Sequence, residues 1–305
     1  MITGCDPRDR PDPAMGPSVA TTWVNPGTGA PIPPDRLIAD VAGRRVVLLG
    51  EHHDDVDHHR WQLHTLAALH GRRPDMILGF EMFPRRVQPV LDRWVAGELT
   101  EEQFLDQVGW DAIWGFDPGL YMPLLQFARL HRVPMLALNV DRALVARVAR
   151  EGWDAVPEDL REGVRTPADP PEGYGRYLGE VFAMKRQHDV GGAAPEAPAT
   201  PDPGALAADP AFGRFVQAQL TWDRAMAEAL AAAAGVRPDG SWPLVVGIVG
   251  LGHVQYGWGV PHQLADLDIG RRETAVLIPW RTTDRDALEA GIADAVFLLP
   301  AVRGR

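Results

Sequence analysis

Five short apolar runs constrain this chain more than any other feature: Arg45–Leu49, Met76–Phe80, Val133–Leu138, Leu244–Val249 and Thr274–Ile278. Their side chains are nearly continuously apolar rather than alternating. Strands of that kind must be covered on both faces, as in a parallel sheet between layers of helices. Helical patterns separate the first three runs, which predicts βαβ units. Asp55–His70 places Val56, His59, Leu63 and Leu66 on one face. Thr100 and Gln103 form a capping box for the helix through Phe104, Leu105 and Val108. Asp209-Pro210 reads as an N-cap with proline at the first helical position, and Gly235 as the matching stop.

The expected architecture is α/β: a mostly parallel β-sheet flanked by helices, with an inserted helical subdomain. Residues 1–35, rich in Pro, Gly and Asp, read as a flexible leader. Residues 36–140 with 240–300 make the parallel-sheet core. Residues 85–235 supply the largely helical insertion, with a mobile loop at 191–208 where Pro, Ala and Gly dominate.

Composition removes several function classes. Among 305 residues, 30 are Lys or Arg and 41 are Asp or Glu, a net charge of −11 that argues against a nucleic-acid partner. Lys185 is the only lysine and follows no glycine-rich loop, which excludes a phosphate-binding P-loop. The single cysteine, Cys5, excludes an intrachain disulfide, a Cys-x-x-Cys pair and a thiolate zinc cluster. No apolar run approaches the ~20 residues needed to span a bilayer. Ile2-Thr3-Gly4-Cys5 looks like the end of a bacterial lipoprotein signal, with Cys5 as the lipidated residue. A chance tetrapeptide in a disordered leader is the alternative.

The residues after each predicted strand are the informative ones. Gly50-Glu51-His52-His53-Asp54-Asp55 follows the first, Glu81 the second, and Asn139 and Asp141 the third. The fourth leads into Gly250-Leu251-Gly252-His253 and the fifth into Trp280-Arg281. Parallel strands put all these ends on one edge, where ligands of open α/β sheets bind. Glu51, His53, Glu81 and His253 are therefore expected to converge. Such a set can ligate a divalent metal such as Mn, Co or Zn that activates water for hydrolysis. It can equally act as a metal-free acid/base pair, or hold a ligand without turnover. No HExxH, EF-hand, GxSxG or GxGxxG spacing chooses among these.

Further candidates have both a binding and a packing reading. His52 reads as solvated beside the site, with His53 turned inward. His58 and His59 lie in a first helical turn, His59 on the apolar face. Gln219 and Asp223 interrupt the stripe of Phe212, Val216, Met226 and Leu230, as pocket residues or as polar anchors. Trp110, Trp114, Phe116 and Tyr121, with Tyr256 and Trp258, offer surface to a flat apolar ligand or cement the core.

These residues carry a resemblance. Gly50-Glu51-His52-His53 with His58-His59, Gly79-Phe80-Glu81-Met82-Phe83 and Ala137-Leu138-Asn139 make the first half. Gln219-Leu220-Thr221-Trp222-Asp223, Met226-Ala227, Gly252-His253-Val254 and Gly259-Val260-Pro261 complete it, over roughly residues 45–262. Together they resemble the ChaN family, the haem-binding uptake branch of a superfamily that includes Tiki-type proteins. The resemblance implies haem as ligand, in some members with tyrosine ligation to iron. Of Tyr121, Tyr174, Tyr177 and Tyr256, it directs attention first to Tyr256 and Tyr121. It also makes a lipidated Cys5, membrane attachment and a cell-envelope location more credible, with a cytoplasmic location as the alternative. A homodimer is a further expectation. The Tiki branch implies a metal-dependent protease whose Gly-x-x-His maps onto Gly50 and His53, with Glu51 and Glu81 as acidic counterparts. More distant relatives resemble erythromycin esterases, in which Glu and His perform hydrolysis.

Overall fold

The computed structural model describes residues 22–189 and 203–301. The chain runs β1 (Trp23–Val24), β2 (Pro31–Ile32), α1 (Pro34–Val41), β3 (Val46–Glu51), α2 (Val56–Arg72) and β4 (Met76–Pro84). It continues through α3 (Gln88–Ala96), α4 (Glu101–Val108), α5 (Trp110–Ile113), α6 (Pro118–His131), β5 (Met135–Asn139), α7 (Arg142–Glu151) and α8 (Glu172–Asp189). The last part comprises α9 (Pro203–Ala207), α10 (Pro210–Ala233), β6 (Leu244–Gly250), α11 (Val260–Asp266), β7 (Thr274–Arg281) and β8 (Ala295–Leu299).

The strands form one sheet in the order β2-β1-β8-β7-β3-β6-β4-β5. From β8 to β5 every pair is parallel, and the two-residue β1 and β2 add antiparallel pairing at one edge. The five apolar runs are β3 to β7, each extended at its carboxyl end beyond the apolar stretch. Alternate residues of β3 show why the runs lack alternation. Val47 and Leu49 enter a core beneath α1, α2, α3 and α6, while Val46 and Leu48 enter a second core beneath α10 and α11. Both faces are dry, so both sets must be apolar.

Local signals act as read. Thr100 and Gln103 form a reciprocal capping box, and Asp209 caps α10 ahead of Pro210. Three expectations change. Residues 22–32 of the leader carry β1 and β2, because Trp23 and Val24 pair with Phe297 and Val296 of β8. Pro203–Ala207, inside the expected loop 191–208, is helical, whereas residues 190–202 lie outside the described part, as do Cys5 and its tetrapeptide. Val56, expected on the buried face of α2, is 42% exposed, because the buried side of its first turn is taken by His58 and His59. Among the described residues no helix is long and apolar enough to cross a membrane.

The open edge of the sheet at β5 is closed by a side chain. Gln88 Nε2 donates to the Met135 carbonyl at 2.8 Å, and the Ala137 N–H donates to Gln88 Oε1 at 2.8 Å. One carboxamide thus satisfies the peptide groups that a further strand would use. Gln88→Leu is expected to lower stability by about 1–3 kcal/mol, because both groups lose their partner. Urea unfolding measures the loss, and concentration-dependent light scattering should show new edge-to-edge association.

Candidate functional site

The carboxyl ends of β3, β4, β5 and β6 lie side by side. β3 ends on Glu51, whose register partner in β6 is Gly250. Glu81 and Asn139 come from β4 and β5, and His253 from the 3-10 turn Leu251–His253 after β6. Glu51, His53, Glu81 and His253 do converge. They act on one another, since His53 is influenced by the charges of Glu51, Glu81 and His253 together.

Glu51 is 2% exposed. Its Oε1 accepts hydrogen bonds from His53 Nδ1 at 2.9 Å and from the Tyr121 hydroxyl of α6 at 2.7 Å. Its Oε2 lies 3.0 Å from His59 Nδ1, off the line of a hydrogen bond. The aligned acceptor for that nitrogen is Gln62 Oε1 at 3.2 Å. Burial alone would raise the carboxyl, but the His53 hydrogen bond and the charges of His59 and His53 outweigh it and bring Glu51 down to about 2. It is a carboxylate that orients His53.

His53 therefore presents Nε2 outward, with no hydrogen bond to that nitrogen among the described residues. Trp114 meets its ring edge-on at 4.6 Å and Phe116 packs at 5.2 Å between centroids. His52 is exposed, as expected. His58 and His59 are not in the cavity. His58 Nδ1 accepts the His52 N–H at 2.9 Å, and His59 Nε2 stands 3.1 Å from the His53 carbonyl. Both brace the loop that carries His53.

His253 repeats the arrangement with a carboxylate from another element. Its Nδ1 lies 2.6 Å from Asp223 Oδ1, and Tyr174 donates to Asp223 Oδ2 at 2.9 Å. Asp223, fully buried on α10, thus stands behind His253 rather than in the cavity. Nε2 of His253 is 3.7 Å from Glu81 Oε1, while Glu81 Oε2 accepts the Gly250 N–H at 2.6 Å. Burial opposes the charged imidazole, but Asp223 and Glu81 overcome it and raise His253 to about 9.

Two glycines make this packing feasible. A Cβ on Gly250 would sit 2.8 Å from the His53 ring and 3.3 Å from Glu81 Oε2. Gly259 has φ +52°, and a Cβ there would meet the His253 carbonyl at 2.5 Å and Asp223 Oδ1 at 2.9 Å.

Two chambers open around the imidazoles. The first, about 640 Å³, is lined by His53, Gln219, Gly252, His253, Tyr174 and Tyr177, among others. The second, about 580 Å³, is lined by Glu81, Asn139, Trp114 and Trp222 and shares His53, Phe116 and His253 with the first. Gln219 is thus a lining residue. Asn139 both lines the second chamber and donates from Nδ2 to the Glu81 carbonyl at 3.1 Å.

Neither Tyr121 nor Tyr256 lines the first chamber. Tyr121 is fully buried with its hydroxyl on Glu51, and Tyr256 donates to Glu289 at 2.8 Å beside a separate hollow. Tyr177 is the tyrosine whose phenol faces the first chamber, 2.9 Å from where a Cβ on Gly252 would lie. The only sequence signal for it is the three-residue spacing of Tyr174 and Tyr177, which puts both on one face of a helix. The metal expectation is not met by geometry. Among the described residues no three His, Cys, Asp or Glu are grouped to hold an ion.

The fold and site define an α/β protein with a polar cleft at the carboxyl edge of a mostly parallel sheet. The chain belongs to the family described as haem-binding uptake, Tiki superfamily, ChaN, whose model matches residues 37–264. Among solved structures it is similar to ChaN of Campylobacter jejuni with cofacial haem, at 18% identity and a TM-score of 0.64. That match covers 91% of this chain and 96% of the other. Weaker likenesses include an open erythromycin esterase mutant, with TM-score 0.46 and 11% identity over 86% of this chain and 76% of that one. The effector domain RRSP of a Vibrio vulnificus toxin gives 0.41 and 17%, covering 82% and 36%. No curated protein matches the sequence detectably.

Asp223→Asn should lower the His253 pKa from about 9 toward the ordinary imidazole value, read by NMR titration. A raised histidine pKa stabilises the fold fully below the unfolded value of about 6.5. That stability is lost as pH rises through about 9. The variant should therefore lose about 3–5 kcal/mol at pH 6 and show a flatter decline above it.

Proposed function

We propose that this protein binds haem in the first chamber, in the service of haem or iron uptake. The observation that carries the reading is a cleft of about 640 Å³ into which a tyrosine phenol, Tyr177, and an available imidazole nitrogen, His53 Nε2, both face. That size suits a flat cofactor. The family match supports the same ligand. Phenolate and imidazole both ligate haem iron, so Tyr177 and His53 would be the residues that hold the group, which would bring its iron as cargo. Glu51 contributes by fixing the tautomer of His53, so that the nitrogen facing the cleft is the one available as a ligand. Both imidazoles are raised from the ordinary value, His53 by Glu51 and Glu81 and His253 to about 9 by Asp223 and Glu81, so iron would have to displace a proton at either. Attachment at the cell envelope through a lipidated Cys5 belongs to the same reading and is tested by the mass of the natively expressed protein.

Haemin titration should give a saturable Soret shift. Tyr177→Phe or His53→Ala is expected to weaken it by about tenfold or more, roughly 1.4 kcal/mol per decade. Adsorption unchanged in both variants would count against the proposal.

One observation favours a second reading, a hydrolase. Glu51–His53 and Asp223–His253 are carboxylate–imidazole pairs on either side of Glu81, the arrangement of general acid/base groups. In this reading His253 is the acid and His53 the base, with Mn, Co or Zn as an optional addition. Ester and peptide screening with and without these ions tests it, and turnover insensitive to His53→Ala and His253→Ala would discard it.

A further inference from the structure

We propose that the second chamber is a separate binding site for a small apolar carboxylic acid carrying a hydrogen-bond donor, such as an aromatic hydroxy acid. The assignment is independent of the haem reading, because it uses groups on the other side of His53.

The mouth of this chamber is formed by the first residues of α7, Asp141 to Ala143, together with Arg86. Asp141 occupies the N-cap position but does not cap, because its carboxylate is drawn to Arg86 Nε at 2.6 Å. The N–H groups of Arg142 and Ala143 consequently find no acceptor among the described residues. They point along a helix axis whose N-terminal end favours negative charge. The Arg142 guanidinium is exposed and makes no ion pair or hydrogen bond among the described residues. The other acid at the mouth, Glu162, is occupied: both its oxygens lie 3.2 Å from the Asp141 N–H. A planar fork and two aligned N–H groups are therefore left over, matched to a carboxylate.

The inner end has the opposite demand. Glu81 is 8% exposed, and its Oε2 takes the Gly250 N–H. Its Oε1 lines the chamber with no hydrogen bond of its own among the described residues, the His253 imidazole standing off at 3.7 Å. This oxygen is open to the chamber and is faced only by the more distant His253 imidazole, so a hydroxyl or N–H on a ligand can give it a direct hydrogen bond. Between the two ends the walls are Ile113, Trp114, Phe116, Val140 and Trp222. They suit an apolar, ring-bearing body. At about 580 Å³ the chamber has the size of a small-molecule site.

The test is isothermal titration of the full-length protein with 3-(4-hydroxyphenyl)propionate, whose hydroxyl lies across the ring from the carboxylate, and with 3-phenylpropionate, which lacks the hydroxyl. Saturable binding of the hydroxyphenyl acid is expected, weakened about tenfold or more by Arg142→Ala, the loss of a charge-assisted contact. The hydroxyphenyl acid should bind more tightly than phenylpropionate, and Glu81→Gln should shrink that preference. If Glu81→Gln does not fold, Arg142→Ala alone carries the test, since its side chain is exposed. Haemin titration of Arg142→Ala should match the unaltered protein. No saturable heat, equal affinity in Arg142→Ala, or joint loss of haemin and acid binding would overturn the assignment.

Discussion

A carboxylate at the end of a buried strand is the constraint around which the rest is arranged. Glu51 cannot remain charged there without donors, because an unpaired buried charge costs several kcal/mol. The donors come from separate parts of the chain: His53 from the loop after β3, Tyr121 from α6, and the charge of His59 from α2. Meeting the needs of one side chain therefore fixes the positions of two helices and a loop relative to the sheet. The outcome for the cavity is a by-product of that demand. His53 must give Nδ1 to Glu51, so Nε2 is left facing the cleft.

The same solution appears on the other face of the sheet with different parts. Asp223 is buried on α10, donates nothing, and receives Tyr174 and His253. Gly250 and Gly259 leave room for both pairs where a methyl group would collide. Placing two such pairs beside Glu81 gathers three carboxylates and two imidazoles at one edge of the sheet. That edge is where the strand ends and their dissimilar loops leave room for a ligand.

Much of this is legible in the amino-acid sequence alone. Continuous apolar runs can only be two-faced buried strands, and polar residues directly after them can only gather at one edge. β1 and β2 are illegible for a physical reason: two residues carry no period, and their pairing with β8 is a tertiary fact. The site is legible in its members more than in their roles. Nothing in a sequence says that His59 turns back toward Glu51 while His53 turns out, because the choice depends on which donor each acid can reach. Tyr121 and Tyr177 change places for the same reason. The first is claimed by a buried carboxylate, and the second comes from α8, whose neighbours along the chain give no sign of a cavity.

The imidazole wall between the chambers has a thermodynamic consequence. His53 and His253 line both cavities, so a ligand that engages either ring on one side alters the proton and hydrogen-bond balance seen from the other. Any such influence is reciprocal: the factor by which one occupant changes the affinity of the second is the factor by which the second changes the first. A cleft divided by a titratable partition is in this sense a coupling element, and its strength is set by how firmly Glu51 and Asp223 hold the Nδ1 protons of His53 and His253 in place.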